Sequence, residues 1–168
     1  GSITRRVMGE TFVRPVVRAA MDHTGDPVTA LERTNWILTT ERPTGLLVTA
    51  LCGVLDLDTG ELRFANAGHE PPLLVRGGAP TAPVGASSPV EELTAAGPLL
   101  GAFRSLNLTM GTARLAKDDV LVLYTDGVTD AAAPGGQRFG DARFRALVRD
   151  HCAVSAGSVV DAVMSAVG

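Results

Sequence analysis

The feature that most constrains this chain is a change of hydrophobic period that happens twice. Up to Gly45 the apolar residues recur at helical spacing, from Leu46 to Thr125 they form strand-like runs, and from Asp141 they turn helical again. Helical and extended patterning are segregated rather than alternating, so the order is helix, helix, a run of mostly antiparallel strands, helix, helix. Such an order implies α+β layers, not an alternating parallel fold.

Within the first block, Val7, Met8, Phe12, Val16, Val17 and Ala20 share a broad helical face. Pro15 lies inside this run and is expected to kink or restart the helix, because proline lacks the amide donor. Asp26-Pro27 reads as an N-cap followed by proline at the first helical position. Val28, Leu31 and Leu38 then form the buried stripe of a second helix, with Asn35 on the same side.

Leu46 to Leu57 is so continuously apolar that it reads as a strand buried on both faces. Asp58-Thr59-Gly60 is turn chemistry, and Glu61 to Ala67 alternates as the returning strand of an antiparallel hairpin. Pro71-Pro72-Leu73-Leu74-Val75 starts an edge-like strand, where prolines are tolerated. Gly77 to Gly97 reads mostly as loop, with a short strand near Glu91 to Thr94. Ser105 to Leu115 and Val120 to Thr125 are further strands, joined by the polar turn Lys117-Asp118-Asp119. Pro134-Gly135-Gly136 marks a loop, and two helices, Asp141 to Cys152 and Ser155 to Val167, close the sequence.

The 168 residues are the length of one ordinary domain, and 45% apolar residues suffice for a core. No run approaches the roughly 20 apolar residues of a membrane-spanning helix, and no signal-peptide pattern opens the chain. A net charge of −3 and 4% aromatics argue against nucleic-acid binding, which needs a basic surface and stacking platforms. Cys52 and Cys152 lack metal-ligand spacing and read as two free thiols in a reducing cytoplasm, with a disulfide as the alternative.

Two segments carry chemistry. In Leu121-Val122-Leu123-Tyr124-Thr125-Asp126-Gly127 an apolar strand delivers a carboxylate at its exit, and Gly127 lets the backbone turn away. Asp126 is then a candidate oxygen ligand for a hard divalent cation, or an aspartate that caps a turn. Asp130 follows at helical spacing, as a second acidic group or a solvated one. In Asn66-Ala67-Gly68-His69 the histidine follows a strand and a glycine bend. It is placed to orient substrate, act as an acid or ligate metal, or instead to lock the loop before Pro71-Pro72. His23 and His151 lie near helix ends without ligand partners and read as surface or capping residues. No GxSxG elbow, GxGxxG turn or GxxxxGK[ST] loop is present.

In order and spacing these segments resemble one family. Val48-Thr49-Ala50, Gly53-Val54-Leu55-Asp56, Thr59-Gly60-Glu61-Leu62, Ala65-Asn66-Ala67-Gly68-His69 and Pro71-Pro72-Leu73-Leu74 are followed by Pro98-Leu99-Leu100-Gly101. Asp119-Val120-Leu121, Tyr124-Thr125-Asp126-Gly127 and Phe139-Gly140 complete the series. Over roughly residues 10 to 150 the chain resembles the metal-dependent protein phosphatases (PPM superfamily) of the SpoIIE/RsbU branch. The resemblance implies a layered α-β-β-α sandwich of mostly antiparallel sheets flanked by helix pairs. It also implies two Mn²⁺ or Mg²⁺ ions that activate a water for in-line hydrolysis of phosphoserine or phosphothreonine. The implied substrate is a phosphorylated anti-sigma-factor antagonist, with sensor domains elsewhere in such proteins. The alternative is a catalytically inactive, partner-binding module of the same fold.

Members of that family carry acidic motifs before the first long helix and an aspartate pair on a last strand. Against that pattern the single domain expected over residues 1–168 is incomplete at both ends, which predicts open sheet edges and hence association or low stability. Of the metal-binding carboxylates only Asp126 matches by position, with Gly127, Asp130, Asn66 and His69 as candidate site-lining residues. One carboxylate does not hold two cations about 3.5–4 Å apart.

Overall fold

A computed structural model describes residues 2–41, 45–77, 90–132, 138–151 and 156–167. They fall into two compact units. The first comprises residues 1–69 and 94–114, and the second residues 70–93 and 115–168.

The first unit opens with helix α1 (Ser2–Thr24), which runs through Pro15 without a break, so the proline does not restart it. The side chains of Val7, Met8 and Phe12 lie outside the described residues, whereas Val13 and Ala20 are buried. Helix α2 (Pro27–Trp36) starts as its sequence prescribes. The Asp26 carboxylate accepts the Thr29 amide at 2.8 Å, satisfying one of the orphan donors of the first turn, and Pro27 occupies the position where no donor is needed. Leu31, Asn35 and Leu38 are buried as the stripe requires. A π-helical turn, Ile37–Glu41, extends α2.

The sheet of this unit has the order β1-β2-β5, all antiparallel: β1 (Ala50–Leu55), β2 (Glu61–Ala67) and β5 (Gly111–Arg114). The hairpin between β1 and β2 turns where expected. Asp56 accepts the amides of Asp58 and Thr59, both at 2.9 Å, and Gly60 takes a positive φ of 73°. β1 is not buried on both faces as its composition suggests. It is an outer strand of the three, and Leu55 on it and Leu47 and Leu57 beside it are exposed. The expected strand from Ser105 is ordered as a ladder only from Gly111. The core joins Val13, Leu31 and Leu38 of the helices to Cys52, Ala65 and Ala67 of the sheet, with Leu100 and Leu106.

The second unit has a sheet of order β4-β3-β6, again antiparallel: β3 (Leu73–Val75), β4 (Val90–Glu92) and β6 (Val120–Val122). β3 is the central strand and wholly buried, not an edge. The prolines do not contradict this, because Pro71 and Pro72 precede the ladder and the Pro72 carbonyl accepts the Leu93 amide. The short strand expected near Glu91 is β4, while residues 78–89 of the loop before it lie outside the described residues, as does the Pro134-Gly135-Gly136 loop.

Helices α3 (Asp126–Thr129), α4 (Asp141–His151) and α5 (Ala156–Val167) complete this unit. The expected helix ends at Cys152 and Ser155 lie outside the described residues. Leu73, Val75, Tyr124, Phe139, Phe144, Val148, Val159 and Val163 form its core. The Lys117-Asp118-Asp119 turn is tied to β3 by the Asp119 carboxylate, which is met by the amides of Ala116 and Gly77 and by Arg76 at 3.0 Å. No helix among the described residues is long and apolar enough to cross a membrane.

Candidate active site

Asp126 does not sit at a strand exit. The β6 ladder ends at Val122, and three residues outside the ladder, the last of them the extended Thr125, follow before Asp126 opens α3. What fixes this connector is Tyr124, whose ring is buried against Phe144 of α4 with centroids 4.4 Å apart. The Asp126 backbone is then held from the far side, its carbonyl accepting the Asp130 amide at 2.7 Å and the Thr129 hydroxyl at 3.2 Å. Its carboxylate is exposed and accepts no hydrogen bond among the described residues. A negatively charged group is therefore presented on a well-fixed backbone.

Gly127 does not turn the chain through a left-handed conformation, since it lies inside α3 and is absent from the positive-φ glycines. Among the described residues a Cβ there would meet the Thr125 hydroxyl alone, at 3.4 Å. Asp130 closes α3 and pairs with Arg138 at 2.9 Å, both side chains more than half exposed. Together with the Ala132–Arg138 bridge this pair holds the returning chain, and an exposed pair of this kind contributes about 0–1 kcal/mol. Asp130 is thus near Asp126 in sequence but engaged elsewhere.

In the first unit Asn66 and His69 are brought together. The Asn66 side chain accepts the His69 amide at 2.7 Å and donates to the His69 carbonyl at 2.9 Å, closing a tight loop over Gly68. Gly68 has φ 70°, and a Cβ there would come within 2.7 Å of the Leu99 side chain, so only glycine fits. The loop-locking role weighed for His69 is therefore performed by the Asn66 amide on the histidine main chain. The imidazole itself keeps a buried Nδ1 without a hydrogen-bond partner among the described residues. His151 caps α4 by contact with the Leu147 carbonyl at 3.0 Å, and His23 is exposed in the last turn of α1.

Cys52 is a free, buried thiol whose burial pushes its pKa up to about 11, which removes it as a nucleophile. Cys152 lies outside the described residues. Three structurally decisive residues have a place in the sequence pattern but no task legible from it: Asn35 on the buried side of the second helix, and Tyr124 and Asp119 within the family-like segments. Their tasks are set by partners distant in sequence: the 101–104 loop for Asn35, Phe144 for Tyr124, and Arg76 and Gly77 for Asp119.

A two-ion centre needs several hard oxygen donors converging on one point. Among the described residues no group of three or more His, Cys, Asp or Glu side chains converges in this way. The described donors, with Asp126 alone at the expected position, do not fit such a centre by themselves.

The fold is that of a phosphatase domain. It matches the SiaA PP2C domain of Pseudomonas aeruginosa with a TM-score of 0.73 at 23% identity, over 94% of this chain and 60% of that one. It also matches the structure of the RsbU and RsbW domains of Rv1364c from Mycobacterium tuberculosis with a TM-score of 0.65 at 27% identity, over 91% of this chain and 39% of that one. Residues 7–168 match the family model of stage II sporulation protein E, and the chain belongs to this SpoIIE family. Among curated proteins, IcfG of Synechocystis sp. is 30% identical over 115 residues, which are 68% of this chain and 17% of IcfG. The chain thus spans only part of the proteins it matches.

Proposed function

We propose that the chain is part of a single metal-dependent protein phosphatase domain that removes phosphate from phosphoserine or phosphothreonine. The proposed substrate is a phosphorylated bacterial anti-sigma-factor antagonist in the cytoplasm. The observation that carries the reading is the family match over residues 7–168, which spans both compact units and includes Asp126, an exposed carboxylate free of hydrogen bonds among the described residues. Asp126 is assigned as one ligand of Mn²⁺ or Mg²⁺, with the other donors supplied from outside the described residues. Gly127 and Asp130 are kept as candidates beside Asp126 in the second unit, and Asn66 and His69 as candidates through the loop they close in the first.

The test is Mn²⁺- or Mg²⁺-dependent release of phosphate from the phosphorylated antagonist. Asp126→Asn is expected to lower the rate by at least the roughly 10–100-fold that loss of a group orienting a metal ligand costs. An unchanged rate would overturn the assignment of Asp126. Binding of the antagonist without any release, and without uptake of divalent ions in calorimetry, would favour the inactive partner-binding module instead.

A further inference from the structure

Asn35 is buried in α2, and all of its described amide contacts go to one loop. Its nitrogen donates to the carbonyls of Phe103 at 2.9 Å and Arg104 at 3.3 Å, and its oxygen accepts the Gly101 amide at 2.8 Å. Gly101, at φ 85°, passes so near the chain before β1 that a Cβ would collide with the Leu46 carbonyl and lie 3.8 Å from the Leu47 Cα. The Gly101–Arg104 loop is therefore held rigidly from two sides.

Around this loop the first unit gathers three large apolar side chains that face solvent: Trp36 at 50% exposure, Leu47 at 58% and Phe103 at 61%. Singly exposed apolar residues are ordinary, but these three lie on the segments that the Asn35 hydrogen bonds and the Gly101–Leu47 approach bring together, which marks the neighbourhood of the loop as a patch. Two cations flank it. Arg33 precedes Trp36 by three residues on α2 and so shares its face, and Arg104 follows Phe103. Both are exposed, and neither forms an ion pair among the described residues. Glu32, also exposed, is the acidic neighbour on the same helix.

Tryptophan and arginine are residues in which binding energy concentrates at protein interfaces, and phenylalanine is enriched in interface cores. A guanidinium offers a planar fork that matches a carboxylate, and a rigid loop loses little entropy when covered. We infer that Arg33, Trp36, Leu47, Phe103 and Arg104 form a docking surface for an acidic protein segment. Its carboxylates meet the two arginines, and its apolar side chains cover Trp36 and Phe103. A nucleic acid is disfavoured by the net charge of −3. The inference does not depend on phosphatase activity, because docking is read by binding alone.

Trp36 is the only tryptophan of the sequence and reports on the patch directly. A synthetic peptide of Asp, Glu and Leu titrated into the chain should shift its fluorescence saturably, and raising the salt from about 0.05 to about 0.5 M should weaken binding. The R33E/R104E double variant should weaken it by about tenfold or more, and Phe103→Ala by a comparable factor, with thermal midpoints unchanged because all three side chains are exposed. The inference is overturned by no saturable shift, by an equal shift with a peptide of Lys and Leu, or by unaltered affinity in R33E/R104E. It is also overturned if the chain forms a dimer that R33E/R104E disperses, since the patch would then belong to a second copy.

Discussion

At the scale of single residues, Asn35 and Asp126 are opposites. The Asn35 amide makes three hydrogen bonds from a buried position, and replacing it by alanine leaves the Gly101 amide and two carbonyls to find new partners. Asn35→Ala is expected to destabilise the chain by about 2–4 kcal/mol, measured by urea denaturation. The Asp126 carboxylate is exposed and makes no hydrogen bond among the described residues, so Asp126→Asn should change stability by less than about 0.5 kcal/mol. A large stability loss in Asp126→Asn would mean that the carboxylate has a structural task, and activity data on that variant would lose their meaning. Cys52 supplies a third prediction. With Cys152 replaced by serine, the buried Cys52 thiol, its pKa pushed up to about 11, should resist a thiol reagent at pH 8 until the chain unfolds.

At the scale of elements, the register of β2 and β5 places Gly111 opposite Phe64. A Cβ on residue 111 would stand 2.6 and 2.8 Å from two ring carbons of Phe64, so Gly111→Ala should cost about 1–3 kcal/mol by overpacking. Adding Phe64→Leu should recover part of that loss, and a strictly additive double variant would show that the ring is not the obstacle. This dependence on a cross-strand partner also explains what could be read from the sequence. Helix α2 was legible because its signals are local: Asp26 caps, Pro27 starts, and Leu31 and Leu38 repeat on one face. Strand extents were legible only in part: Glu61–Ala67 is β2 as read, but the runs 46–57 and 105–115 carry no mark of where a neighbour stops pairing. The central place of β3 depends on β4, which lies at the end of an aperiodic stretch. In the same way Asp126 was legible as an acidic group after an apolar run. Its place at the start of α3, and the orphaned Nδ1 of His69, are set by packing that no spacing encodes.

At the scale of the whole molecule, three carboxylates tie stability to pH. Asp26 is held below its usual range by the Thr29 amide, and Asp56 by the amide of Thr59 and then that of Asp58. Burial would raise Asp119, but the amides of Ala116 and Gly77 and the Arg76 guanidinium outweigh it and the net shift is downward. A group whose folded pKa lies below its unfolded value, about 3.9 for aspartate, binds fewer protons folded than unfolded. Its contribution is complete above that unfolded value and is lost as the pH falls through the depressed folded one. Asp26 and Asp56 are exposed enough to solvent that their share is small, whereas the Asp119 side chain is only 4% accessible and should dominate. Stability is therefore expected to be level with respect to these groups from about pH 5 to pH 8 and to fall below about pH 4. Asp119→Asn should lower stability at pH 7 by about 1–3 kcal/mol and flatten the acid limb, since asparagine has no proton to take up. Tyr124 is the only tyrosine of the sequence and lies in the same unit as Asp119, so its near-ultraviolet circular dichroism follows the transition. If the acid limb keeps its slope in Asp119→Asn, the coupling of pH to stability resides in other carboxylates, and the tie between the β3 end and the turn before β6 is not what acid breaks.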